Sequence, residues 1–132
     1  MKRAKSKQTQ AKEISIETKK RVLERQHNKS ISGVAINLNS DFHHYVFRSH
    51  GGVGYEWNIV GLTREEHDIL HDIIKGDIKV NGRGRYSKDE FLTLIRNHFK
   101  TEYVNWSEEK CHYNKYFDSE EEYGVKRRER KL

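Results

Sequence analysis

One cysteine, Cys111, stands in 132 residues. A single thiol excludes an intrachain disulfide framework and any zinc site built from several cysteines. Its neighbours Glu108, Glu109, Lys110 and His112 do not mark a nucleophile, so a plain structural thiol is expected. It fits a reducing cytosol. Proline is absent altogether, which by itself excludes little. Apolar residues are scarce, 33% hydrophobic against 35% charged. That balance limits the chain to a small core and leaves part of it outside. No apolar run approaches the ~20 residues that span a bilayer, so no membrane contact is expected. The basic N-terminus is followed by no apolar stretch and does not read as a signal peptide. A soluble cytoplasmic protein is the expectation.

What is present points elsewhere. Two tryptophans, seven tyrosines and five phenylalanines argue against wholesale disorder. The net charge of +6 favours a polyanionic partner, most often nucleic acid. Residues 1–12 are basic, glutamine-rich and nearly without apolar side chains, and read as a flexible arm. Residues 17–26 suggest a short helix. Residues 30–39 suggest a strand or a knuckle of extended chain. Phe42 to Arg48 reads as a strand, Ser49 to Gly54 as a glycine-rich loop, and Asn58 to Leu62 as a second short apolar run.

Two capping boxes stand out. Thr63 with Glu66 opens a helix expected to reach about Lys75 and stop at Gly76. Ser87 with Glu90 opens another, on which Phe91, Leu94, Ile95, His98 and Phe99 form a helical stripe. That stripe reads as core, with His98 at its edge. A small hairpin is expected at Asn81-Gly82, and a further short helix within residues 107–117. The blocks Glu120-Glu121-Glu122 and Lys126-Arg127-Arg128 suggest a mobile charged tail. The fold class is α+β, with residues 13–76 as the core, 77–118 as a helical extension packed on it and 119–132 as the tail.

Five of the eight histidines lie between Phe42 and Asp72. His43 and His44 are neighbours on the first strand and point to opposite faces, which favours one ligand and one base. His67 and His71 are four apart on the capped helix and face the same way. That spacing suits two imidazoles on one metal. With the strand histidine added, a three-histidine site with open positions results, suited to substrate and water.

The order of these parts resembles the HNH endonuclease motif. It runs His43-His44, the glycine pair Gly51-Gly52, Asn58-Ile59-Val60-Gly61-Leu62, then His67 and His71, and covers about the middle third of the chain. The stretch resembles that of small phage-encoded HNH proteins. The resemblance implies a ββα-metal core, a hairpin and a helix clasping one divalent ion (Mg, Mn, Ni or Zn). It implies His43, His67 and His71 as metal ligands and His44 as the general base. Asn58 would tie the loop and hold His44. Arg48 is a candidate phosphate contact. His50 is either a DNA contact or a loop residue.

The resemblance further implies hydrolysis of DNA phosphodiesters to 5′-phosphate and 3′-hydroxyl ends in a bacterial host cytoplasm. A homodimer or phage packaging proteins are possible partners besides DNA. Many HNH proteins carry two Cys-x-x-Cys pairs for a structural zinc. Here the corresponding places are Ser30 with Gly33 and Thr63 with Glu66, so no structural zinc is expected. A cap contributes about 1 kcal/mol against ~10 or more for structural zinc, so packing must supply the difference. The competing readings are a non-catalytic DNA-binding protein on the same scaffold and, less favoured by the missing thiolates, a structural zinc module.

Overall fold

Four hydroxyl side chains, those of Ser6, Ser15, Thr63 and Ser87, each accept from the backbone amide three residues on. Each satisfies an otherwise orphaned donor and opens a helix. In the computed structural model, which describes residues 4–129, these helices are α1 (Lys7–Lys12), α2 (Ile16–Arg25), α3 (Arg64–Leu70) and α4 (Lys88–Glu102). The strands form three antiparallel pairs: β1 (Asp41–His44) with β2 (Ile59–Leu62), β3 (Ile78–Val80) with β4 (Arg83–Tyr86), and β5 (Tyr103–Val104) with β6 (Lys126–Arg127). The fold is therefore α+β. Among the described residues no helix is long and apolar enough to cross a membrane.

The core forms where the apolar periodicities meet. All four residues of β2 are buried, and Phe91, Ile95 and Phe99 of α4 are wholly so. Val53, Trp57, Leu70 and Tyr103 pack with them. Both capping boxes form, with Thr63 and Glu66 at one helix and Ser87 and Glu90 at the other. The Asn81-Gly82 hairpin also forms, with both central residues at positive φ, as a two-residue primed turn requires.

Arg25 is the largest fully buried side chain. Its guanidinium donates to the carbonyls of Glu56 and Ile59, each at 2.7 Å, to the Tyr103 hydroxyl at 2.9 Å and to His98 Nε2 at 2.9 Å. These bonds join α2, β2 and α4. Burying an arginine is costly unless every donor finds an acceptor, and here the carbonyls, hydroxyl and imidazole supply them. His98 is thus the acceptor of a buried cation. Burial and the neighbouring Arg25 charge push its pKa down to about 3.

Residues 30–34 make a tight turn rather than a strand. Ser30 N–H donates to Val34 O at 2.8 Å, and one bridge joins Lys29 to Ala35. The turn presents Ser30 and Ser32 to the buried carboxylate of Glu66. Ser30 Oγ donates to Glu66 Oε2 at 3.1 Å, and Ser32 Oγ donates to the same oxygen. The knuckle is thereby bonded to the start of α3 through side-chain oxygens.

Several expectations need correction. The arm is not wholly unstructured: residues 7–12 form α1, and Ala11 is buried. Helix α3 stops at Leu70, short of Lys75, because Asp72 adopts φ +57°. Asp72 N–H then donates to Ile69 O and Ile73 N–H to Asp68 O, a Schellman closure with aspartate in the place of glycine. The extension opens with the β3–β4 pair, and residues 107–117 hold one 3-10 turn, Glu109–Cys111, in place of a helix. The tail is anchored: Tyr123 is buried against Tyr55, Trp57 and Phe117, and β6 pairs with β5. Residues 1–3 of the arm and 130–132 of the tail lie outside the described residues.

Candidate active site

The register of the first hairpin sets His43 opposite Val60 and His44 opposite Ile59. Val60 and Ile59 are fully buried, so the hairpin cannot slip without exposing β2. The chain leaves β2 at Leu62 and enters α3 at once through its Thr63 cap. Thr63 N–H also donates to Glu66 Oε1 at 3.2 Å. This short connection fixes where the first turns of α3 lie relative to β1.

His43 Nδ1 stands 3.1 Å from His71 Nε2. The His67 and His71 rings lie 4.3 Å apart between centroids, and His43 and His67 lie 6.4 Å apart. His67 Nδ1 meets Asp68 Oδ1 at 3.1 Å. Asp68 therefore accepts a hydrogen bond from Nδ1–H, and in that tautomer Nε2 carries the lone pair.

Burial dominates the electrostatics. His43 is almost inaccessible, and desolvation, followed by the charges of His71 and His67, lowers its pKa to about 3. His71 is lowered by burial and then by His67. Both rings are thus neutral near pH 7 and offer lone pairs, the form a metal ligand needs. His43 Nε2 is buried with no protein partner.

His44, the next residue on the strand, is held by a different partner. Its Nε2 lies 2.8 Å from the backbone carbonyl oxygen of Lys12. Burial lowers its pKa, the Lys12 carbonyl opposes that, and Arg48 adds to it. Asn58, fully buried, ties the loop. Its Oδ1 accepts from Val46 N–H at 2.8 Å, and its Nδ2 donates to the carbonyls of Val46 and Val53 at 3.1 and 2.8 Å. It satisfies three backbone groups that burial would otherwise orphan, at about 1–3 kcal/mol each. The Asn58 side chain bonds the loop alone; the group bonded to the His44 ring is Lys12 O.

A cavity of about 660 Å3 is lined by His43, His44, His67 and His71, together with Lys12, Phe42, Phe47, Arg48 and Ser49. Arg48 is therefore placed beside the histidines. His50 is not among the lining residues: it stacks on the Phe47 ring at 5.7 Å. Phe47 also stacks on His71 at 5.2 Å and meets His43 edge-on at 5.5 Å. One phenyl ring thus backs two imidazoles.

Sequence reasoning missed Lys12, Phe47 and Asp68. The adjacency of Asp68 to His67 was a readable sign. Phe47 looked like any strand aromatic. Lys12 carried no sign, since it meets His44 across 32 residues of chain.

Two neutral imidazole nitrogens 3.1 Å apart suit a shared cation, since ligand bonds of about 2.0–2.1 Å in a tetrahedral shell put nitrogens near that separation. Among the described residues, no group of three or more His, Cys, Asp and Glu is gathered closely enough to hold a metal ion as it stands. The donors present are the close pair His43 and His71, with the His67 ring 4.3 Å from that of His71. Comparison with protein-family models, curated proteins and solved structures finds no match to this chain.

Proposed function

We propose that this protein is a metal-dependent endonuclease of the HNH type, hydrolysing DNA phosphodiester bonds, of the kind phages and mobile elements encode. The observation that carries the reading is the sharing of one cavity. The close pair His43–His71, the separately held His44 and the cations Lys12 and Arg48 all line it. The core of β1, β2 and α3 is read as a ββα-metal unit, with residues 77–129 packed around it.

His43, His71 and His67 would hold the divalent ion, which supplies Lewis-acid stabilisation of charge growing on phosphate oxygens. His44 performs the proton transfer. With Nε2–H donated to Lys12 O, its Nδ1 is the free base and takes a proton from water. The water oxygen forms a bond to phosphorus while the bond to the 3′ oxygen breaks. The 3′ oxygen leaves with that electron pair and is protonated by solvent, giving a 5′-phosphate and a 3′-hydroxyl. Lys12 and Arg48 offset the negative phosphate. With its pKa lowered from the ordinary value by burial, the imidazole is neutral near pH 7 and free to take the proton.

The test is nicking of supercoiled plasmid with Mg²⁺, Mn²⁺, Ni²⁺ or Zn²⁺, with and without EDTA. Cleavage with at least one ion, abolished by EDTA and leaving ends that DNA ligase reseals, is the expected result. His44→Ala lowers the rate about a hundredfold to ten-thousandfold. DNA binding without cleavage under every ion replaces this reading with that of a non-catalytic DNA-binding protein.

A further inference from the structure

We infer that α1 is a working part of the histidine site, because the backbone carbonyl of Lys12 is the group that orients His44. This rests on the reading of His44 as the base. It makes Lys12 a positioning residue through its main chain, whatever its side chain contributes.

The last carbonyls of a helix have no partner within it. On α1 they are taken up locally and by the site. Gln10 O accepts from Glu13 N–H at 3.2 Å, Ala11 O from Gly54 N–H at 2.8 Å, and Lys12 O faces His44 Nε2 at 2.8 Å. A carbonyl only accepts, so Nε2 must carry the hydrogen. A neutral imidazole has one N–H, so Nδ1 is left as the lone pair. Ring orientation and protonation pattern are fixed by one contact.

A six-residue helix is not stable alone. Ala11 is the one buried residue of α1, so the segment is held chiefly by its moorings. At the start, Ser6 caps the helix, and Lys7 Nζ pairs with Asp118 and donates to Lys115 O at 3.3 Å. At the end, Glu13 pairs with Lys5 at 2.7 Å and the chain presses on Gly54. A Cβ placed on Gly54 would stand 2.1 Å from Glu13 O and 2.8 Å from Lys12 O. A side chain there forces residue 54 apart from the Glu13 and Lys12 carbonyls and so disturbs the end of α1 that holds His44. Glycine is required by close approach, as φ at this residue is not in the left-handed region.

Gly54→Ala separates position from basicity. In the full-length wild type, nitrogen-resolved NMR should show His44 with a slowly exchanging Nε2–H. In Gly54→Ala, with the fold checked by circular dichroism, that proton should exchange too fast to be seen. Its cleavage kcat should fall about tenfold to a hundredfold, the range seen when an orienting partner is lost. KM for DNA and affinity for Mn²⁺ should not change. If Gly54→Ala does not fold, the double variant Ser6→Ala, Lys7→Ala frees the far end of α1 without touching the core. It should move the same two signals in the same direction.

A wild-type His44 protonated at Nδ1 overturns the inference. So does a folded variant that keeps both the protected Nε2–H and the kcat. If the wild type shows the protected proton but cuts no DNA with any ion, the nuclease reading fails and the positioning stands. If it cuts and the variant cuts equally fast, the positioning fails alone.

Discussion

His43 Nδ1 and His71 Nε2 face each other at 3.1 Å, one from a strand and one from the residue that caps the end of α3. Burial lowers the His43 pKa to about 3, partial desolvation and then the His67 charge lower that of the more exposed His71, and Phe47 packs against both. The two nitrogens share one N–H···N hydrogen bond, so a cation would meet one lone pair there and gain the second when that ring changes tautomer. Calorimetric titration with Mn²⁺ or Zn²⁺ checks this. Loss of an outer partner of a metal ligand costs about tenfold to a hundredfold in affinity, which is the expectation for Asp68→Asn. His43→Ala and His71→Ala should cost more than that. His50→Ala should cost nothing, because its ring stacks on Phe47 and does not line the cavity. Equal affinity in wild type, His43→Ala and His71→Ala would remove the pair from the metal site.

Lys12 and Arg48 line the same cavity, and their charges are expected to act on the phosphate backbone. Each phosphate neutralised in duplex DNA changes the slope of log K against log salt by about 0.9. Lys12→Ala and Arg48→Ala should each make that slope shallower by about this amount. Sequence preference should not change, since backbone contacts position without specifying. The measurement is duplex binding by fluorescence anisotropy across a salt series, with the calcium ion substituted to prevent cleavage. Unchanged slopes would place both cations outside the interface.

The legible parts of this chain were the local ones. Thr63 with Glu66 and Ser87 with Glu90 lie three residues apart, so the helix starts could be read directly. His67 with His71 and the Phe91, Ile95, Phe99 stripe follow from helical geometry in the same way. The knuckle was legible only as an alternative, because Ser30 and Ser32 acquire meaning from Glu66, 36 and 34 residues on. The end of α3 was misjudged because Asp72 adopts a backbone conformation that composition does not announce. Arg25 in the core, Tyr123 in the tail and Lys12 at His44 were invisible for one reason. Each is fixed by a partner far along the chain, and exposed-looking composition hides such partners.

His98 makes the stability depend on acid. Its folded pKa is lowered to about 3 from an ordinary 6.5, first by burial and then by Arg25. Between those values the unfolded chain binds the extra proton, so acid favours unfolding. The stabilisation is present above about pH 6.5 and drains away as pH falls towards about 3, at most about 1.4 kcal/mol per pH unit for one histidine. His43 acts in the same direction over the same window. In His98→Gln the side-chain oxygen still accepts from Arg25 but does not titrate. Its melting temperature should therefore fall less steeply than that of the wild type between pH 6.5 and 4. Parallel curves would mean that His98 is not the neutral acceptor of the buried guanidinium.

Glu66 joins the knuckle to the helix that carries His67 and His71, and it does so with oxygen donors and acceptors. Oε2 receives Ser30 and Ser32 while Oε1 receives the Thr63 amide. Because no thiolate takes part, chelation should stop cleavage without unfolding the chain, whereas a domain built on a structural zinc unfolds when the metal is removed. The carboxylate itself is what the junction needs. Glu66→Ala leaves two buried hydroxyls and an amide without their acceptor, at about 1–3 kcal/mol for each group left unpaired. Glu66→Gln keeps the Oε1 acceptor and turns an amide towards hydroxyls that can rotate to accept, so its cost should be nearer 1 kcal/mol. Urea unfolding of the three proteins, each with and without EDTA, gives the comparison. The expected order of stability is wild type, Gln, then Ala, with EDTA leaving each protein folded. Unfolding of the wild type by EDTA would mean that a metal, and not this hydrogen-bonded junction, holds α3 in place.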